Sequence, residues 1–143
     1  MLLKELKDKI VWAHEESSKG NVNAFDEVYA PNILLHLPPL PDVRGLEANK
    51  QVSAAVHKAF TDFHMESEEA ISEGNTVAHR YTIRMKHTGV YPMVPVPATE
   101  KELVMKGCAV YHVKNDKIVE IFEYHDLLGL LQQIGVVPPM GQQ

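Results

Sequence analysis

From Phe63 onward the sequence stops repeating every three or four residues and begins to alternate, and this change of period limits the fold more than any other feature. Phe63 to Ser72, Thr76 to Thr88, Lys101 to Val113 and Lys117 to His125 read as strands, separated by Glu73-Gly74-Asn75, a long loop and the turn Asn115-Asp116. Upstream, Leu2, Leu3, Leu6, Ile10, Val11 and Ala13 recur at helical spacing and predict a helix ending near Ser18 to Asn21. A second short helix, Val22 to Tyr29, is closed by Pro31. Ile33 to Leu37 reads as a strand stopped by Pro38-Pro39-Leu40-Pro41, and Gly45 to Phe60 is helical again. Helices collected ahead of hairpin-linked strands imply an α+β fold with a mostly antiparallel sheet, in one domain over residues 1–143.

The end of the chain carries the strongest local signals. Ile118 to Tyr124 is β-branched and aromatic, whereas Leu127, Leu128, Leu130, Leu131 and Ile134 form a helical stripe that Gly135 ends. Asp126 stands directly before that helix as its N-cap, and Glu123, His125 and Asp126 gather three ionisable groups at the strand-to-helix junction.

Charge and cysteine content exclude several classes. A net charge of −5 without any Lys/Arg cluster argues against a nucleic-acid partner. The lone Cys108, inside a predicted strand, supports neither an intrachain disulfide nor a cysteine zinc site and reads as core. No apolar run is long enough to span a membrane, and the amphipathic start is neither signal nor transit peptide, so a cytoplasmic location is expected. HExxH, glycine-rich phosphate loops and nucleophile elbows are missing from the sequence, so no metal and no nucleotide cofactor are expected.

Strand alternation sorts the side chains that could face an interior. Val77, His79, Tyr81, Ile83, Met85 and His87 share the more apolar face of their strand; Leu103, Met105, Gly107, Ala109 and Tyr111 share one in the next, where Gly107 and Ala109 leave room for a ligand. In the last strand Val119, Ile121, Glu123 and His125 lie opposite Ile118, Glu120, Phe122 and Tyr124. On an interior face the Glu123 carboxylate is desolvated and its pKa is expected to rise, as suits a general acid or base. Trp12, Tyr29, Tyr81 and Met85, with Met105, are candidates for an apolar wall. The proline-rich loop Gly89 to Thr99 is read as a pocket rim or an ordinary buried connection. His87, just before it, is structural or ligand-facing. His36 could polarise a carbonyl or pack at its strand end, while His14, His57 and His64 are expected on helix surfaces or in solvent.

The segments VYAPNILLH, PDVRGLEANKQ, FTDFHMESEEAISEGNTVAHRYTIRMKHTG and DKIVEIFEYHDLLGLLQQIG together resemble the SnoaL-like polyketide cyclases, or ester cyclases, of the nuclear transport factor two-like superfamily. This resemblance implies a cone in which a curved sheet, three helices from the first half and a short terminal helix enclose a ligand cavity, commonly in dimers. It also implies that Glu123 occupies the position of the family's acid/base aspartate, that Asp126 matches its strand-to-helix aspartate, and that His36 matches a polar position on its first strand. A histidine found on the penultimate strand of some cyclases is replaced here by Ala109.

Two functions are consistent with these features. One is a cofactor-independent enzyme moving protons on a hydrophobic carbonyl compound, as in aldol cyclisation, with Glu123 as base, His36 or Tyr81 as donor and Asp126 as a second carboxylate. The other is a noncatalytic small-molecule binding domain. A homodimer is expected to cover the outer sheet face at Thr82, Arg84, Cys108 and Val110, with Arg80 or Arg84 pairing acids there.

Overall fold

The computed structural model describes residues 3–94 and 96–141; Leu2 of the predicted first helix and Pro95 of the proline-rich loop lie outside them. A 3-10 turn, Leu3–Glu5, leads into helix α1, Leu6–Ser18, and a 3-10 helix, Val22–Glu27, stands where a second α-helix was expected. Strand β1, Tyr29–His36, is followed by the two-residue β2, Val43–Arg44, and by α2, Leu46–Ala59. Strands β3, Phe60–Glu73, β4, Thr76–His87, β5, Glu102–Lys114, and β6, Lys117–His125, run up to α3, Leu127–Ile134.

The six strands form one curved, unclosed sheet in the order β2-β1-β6-β5-β4-β3. Neighbours are antiparallel except β1 and β6, which run parallel. The fold is therefore α+β with a mostly antiparallel sheet. Its concave face carries the core: the predicted inward sets of β4 and β5 are buried throughout, and Leu6, Ile10 and Ala13 of α1 close over them. Each fully buried Leu or Ile contributes on the order of 2 kcal/mol by area, so this small helical seam is a substantial anchor for α1.

Two assignments of side need correction. Ile118 is fully buried although simple alternation places it outward. The β5–β6 register passes from His112↔Glu120 to Val113↔Ile118, leaving Val119 as an extra residue that flips the strand below it. Cys108 is exposed, not core, because it alternates with the buried Gly107 and Ala109. On the same outer face Thr82 is already covered within the chain, its hydroxyl 2.8 Å from Glu68 Oε1 and 2.9 Å from Lys106 Nζ, and Arg80 pairs with Glu69 at 3.4 Å.

Beyond His125 strand β6 no longer covers the β5 edge, and α3 takes over. Gln133 accepts from the Val104 N–H at 2.9 Å and donates to its carbonyl at 2.7 Å, while the Asp126 N–H reaches Lys106 O at 2.9 Å. The edge is satisfied as a strand would satisfy it. Asp126 caps α3 by accepting from Gly129 N at 2.9 Å, and Gly135, at φ +97°, ends it in the left-handed conformation. Among the described residues no helix is long and apolar enough to cross a membrane.

Candidate active site

Between the concave sheet face and the helices lies a cavity of ≈ 130 Å³, lined mainly by apolar side chains from every layer. Tyr29, Leu35 and Leu37 come from β1 and its exit, Phe60, Phe63 and Met65 from β3, Ile83 and Met85 from β4, Met105 from β5 and Val52 and Val56 from α2. Tyr91, Met93 and Val94 of the proline-rich loop close one side, so this loop is a rim. It is tied down where Thr88 and Gly89 donate to Ala59 O at 2.8 and 2.9 Å. A side chain at Gly89 would meet the α2 backbone, its Cβ 2.5 Å from Lys58 O, so only glycine allows that approach.

The sheet register assembles the polar wall. Tyr81, Gly107 and His125 lie side by side across β4, β5 and β6, and His79, Ala109 and Glu123 form the next row. Gly107 has no side chain between the two rings, so the Tyr81 ring lies across it: its hydroxyl donates to Glu123 Oε2 at 2.6 Å and sits 3.0 Å from His125 Nε2. With the tyrosine proton given to the carboxylate, the second contact is a hydrogen bond when His125 Nε2 carries a proton. His125 Nε2 is also 3.7 Å from Glu123 Oε2. Gly107 thus makes room for Tyr81 rather than for a ligand, and Ala109, buried beneath this row, is not part of the cavity lining.

Burial pushes the Glu123 carboxyl up, as the sequence predicts, but the positive His125, its polar contact, the field of His14 and the Tyr81 hydroxyl outweigh it and bring the carboxyl to about 2. The expected rise is reversed because alternation identified the desolvation and not the donors. Burial, with the Glu123 charge second, raises the Tyr81 phenol well above its ordinary value, so this hydroxyl remains a proton donor.

Other expected site residues stand elsewhere. Trp12 is 39% exposed on the outer side of α1, because the buried stripe runs through Leu6, Ile10, Ala13 and Ser17. His36 alternates away from Leu35 and is held outside the cavity by Asp42 Oδ1 at 2.9 Å and Glu120 Oε2 at 2.8 Å; the hydrogen bond it donates to Glu120, then that to Asp42, raises its pKa. Asp126 is a cap, and its carboxylate does not line the cavity. His87 is fully buried off the cavity, accepting at Nδ1 from Thr99 N at 3.2 Å, which fastens the end of the rim. His64 is exposed, as expected.

His14 and His57, expected on helix surfaces, instead line the cavity. His14 was recoverable, since it stands one turn after Ile10 on the buried side of α1. Asn49, Ser53 and His57, at every fourth residue of α2, form a polar row that imitates a solvent face. Nothing local reveals that it turns inward. Among the described residues no group of three or more His, Cys, Asp or Glu is placed to hold a metal ion.

A cone of this kind recurs in known structures. A candidate SnoaL-like polyketide cyclase from Jannaschia superposes with a TM-score of 0.81 at 15% identity, covering 94% of each chain. TsrD from Streptomyces laurentii gives 0.81 at 18% identity over 94% of this chain and 96% of its own. IdmH, a candidate polyketide cyclase from Streptomyces antibioticus, gives 0.76 at 24% identity over 92% and 99%. At these identities the likeness establishes the nuclear transport factor two-like fold alone. No curated protein matches the sequence. The family model for the SnoaL-like polyketide cyclases, however, matches residues 9–134, from the first helix through the capped terminal one, and the chain therefore belongs to that family.

Proposed function

We propose that this protein is a cofactor-independent acid/base enzyme that cyclises a hydrophobic carbonyl compound by an aldol reaction. The observation carrying this reading is the largely buried Glu123 carboxylate, joined to Tyr81 and His125 on the wall of an apolar cavity. Glu123 removes a proton alpha to a carbonyl and the C–H electron pair moves into the enolate, whose oxygen accepts from Tyr81 or His125. The enolate carbon then bonds to a second carbonyl carbon of the same molecule, and the resulting alkoxide takes back the proton held by Glu123. Apolar walls fold the chain so that the two carbonyls meet.

Glu123→Gln keeps the volume and loses the base. Exchange of the methyl protons of a ring ketone such as acetophenone in D2O, followed by NMR, should fall by about 100-fold or more with the melting temperature nearly unchanged. Wild-type exchange in the Gln variant would remove Glu123 as the base. A noncatalytic binding role is favoured by one observation, the carboxyl held at about 2, which makes it a weak base. Tight ketone binding without any exchange above buffer would select that reading.

A further inference from the structure

Most polar groups facing the cavity are satisfied within the fold. Glu123, Tyr81 and His125 bind one another, Asn49 Nδ2 donates to Gly45 O at 2.8 Å, and Ser53 Oγ lies 2.7 Å from Ser17 Oγ. Two imidazoles are not, and the Tyr29 and Tyr91 hydroxyls also make no hydrogen bond among the described residues. His14 makes only ring contacts, edge-on to Phe25 at 5.1 Å and tilted against Phe63 at 6.4 Å, with no hydrogen bond from either nitrogen among the described residues. His57 stands edge-on to the same Phe63 at 4.8 Å, and its Nδ1 is buried without a hydrogen-bond partner among the described residues. Both flank one phenyl ring on the helical side, while the Glu123 group belongs to the sheet.

Unpaired buried polar atoms are costly and uncommon, and in a ligand cavity the natural partner is a ligand atom. The chemistry of that atom follows from the state of the rings. Burial lowers His14 to about 4, with the Glu123 charge opposing and His57, His125 and His79 adding to the fall; burial also lowers His57 against the pull of Glu15. Both rings are neutral near pH 7. A neutral imidazole offers one donor and one acceptor, which suits a hydroxyl, enol or carbonyl and gives no counter-charge to a carboxylate or phosphate.

We propose that His14 and His57 form a second recognition pole, which binds an uncharged oxygen of the same ligand whose reacting carbonyl faces Tyr81 and Glu123. This rests on the reading of Glu123 and Tyr81 given above. The substrate class is then an apolar ring compound with oxygen functions at two separated positions, one for each wall. In volume the cavity, ≈ 130 Å³, is close to the ~150 Å³ that takes a benzene molecule, so it has room for one six-membered ring.

Acetophenone and its 3- and 4-hydroxy derivatives test this by titration against wild-type protein, His14→Phe, His57→Phe and Glu123→Gln. The better-placed hydroxyl should tighten binding about tenfold over acetophenone in the wild type, the scale of one buried hydrogen bond. In His14→Phe or His57→Phe that ratio should fall toward one, and His→Gln at the same site should restore part of it. Imidazole 15N resonances of wild-type His14 or His57 should move with the hydroxy ketone and not with acetophenone, a readout that does not depend on the variants folding. No hydroxyl preference in the wild type, no resonance shift, or a preference surviving both Phe variants would overturn the second pole. Failure of the catalytic reading looks different: the preference still depends on His14 and His57, while Glu123→Gln changes neither affinity nor proton exchange.

Discussion

Gly107→Ala tests whether the polar wall depends on a missing side chain. A Cβ built at Gly107 would stand 2.5 Å from Cε2 and 2.8 Å from Cζ of Tyr81, and 3.0 Å from Cδ2 of His125. Neither ring is a flexible tip: Tyr81 is fully buried and is fixed at its hydroxyl. To restore ordinary contact the Tyr81 ring must retreat by about 1 Å, which stretches its 2.6 Å hydrogen bond to Glu123 beyond useful length. Overpacking costs about 1–3 kcal/mol, and a buried carboxylate deprived of a donor about another 1–3 kcal/mol. Alanine returns up to about 1 kcal/mol by restricting the unfolded chain, which leaves a net loss of about 1–6 kcal/mol. Urea unfolding at pH 7 measures it. The same substitution in a Tyr81→Phe background should cost about 1 kcal/mol less or better, because the hydroxyl contact is already gone while the ring clash remains. A Gly107→Ala protein within about 0.5 kcal/mol of wild type, the usual range of an unremarkable surface change, would refute the account of why Tyr81 reaches Glu123.

Three other outcomes are expected. Burial lowers His79 to about 4, below its unfolded value near 6.5, so between these values the unfolded chain holds more protons: stability is full above about pH 6.5 and declines toward pH 4, by up to about 3 kcal/mol. His79→Gln should lose that part of the pH dependence in urea titrations, and an unaltered profile would count against it. Asp126→Ala should cost about 1 kcal/mol in thermal melting and Asp126→Asn much less, since the residue acts as a cap; equal losses would contradict that role. We also propose homodimerisation through the outer sheet, where Tyr124 is 57% exposed and the β4–β5–β6 register sets Cys108 beside it and Val110 beside Phe122. Light scattering that returns a monomer at micromolar concentration would overturn it.

The sequence was most legible where local chemistry marks both ends of an element. β6 begins after Asn115 and Asp116, both at positive φ, and α3 is bounded by Asp126 and Gly135, so these elements were placed to the residue. It was least legible where pairing overrides local preference. Pro31 was read as ending a helix, yet β1 runs through it: the register with β6 shifts between Tyr29 and Leu34, and Pro31 and Asn32 face outward within that irregular stretch, where a missing N–H costs little. β3 starts at Phe60 rather than Phe63 because Asp62, at φ +50°, absorbs an extra residue between Thr61↔Lys86 and His64↔Arg84. The site followed the same division. Glu123, Tyr81, Met85 and Met105 follow from alternation within strands, whereas the inward turn of His14 and His57 depends on how helices settle on the sheet.

The pKa of Glu123 could not be read from the strand because two opposed environments meet on one carboxylate. Alternation locates the side chain in an apolar interior, and from that alone a raised pKa follows. What lowers it is the pairing of β4, β5 and β6, which brings Tyr81 and His125 alongside from positions 42 residues away and two residues away in sequence. The balance therefore rests on the contact with His125. Burial alone drives the carboxyl upward, toward the basicity that proton abstraction needs, and the attraction and hydrogen bond of His125 lead the influences that bring it down. On the proposed reading the strength of Glu123 as a base is therefore set by its contact with His125, and an apolar ligand that displaces water from the cavity strengthens both the attraction and the desolvation acting on it.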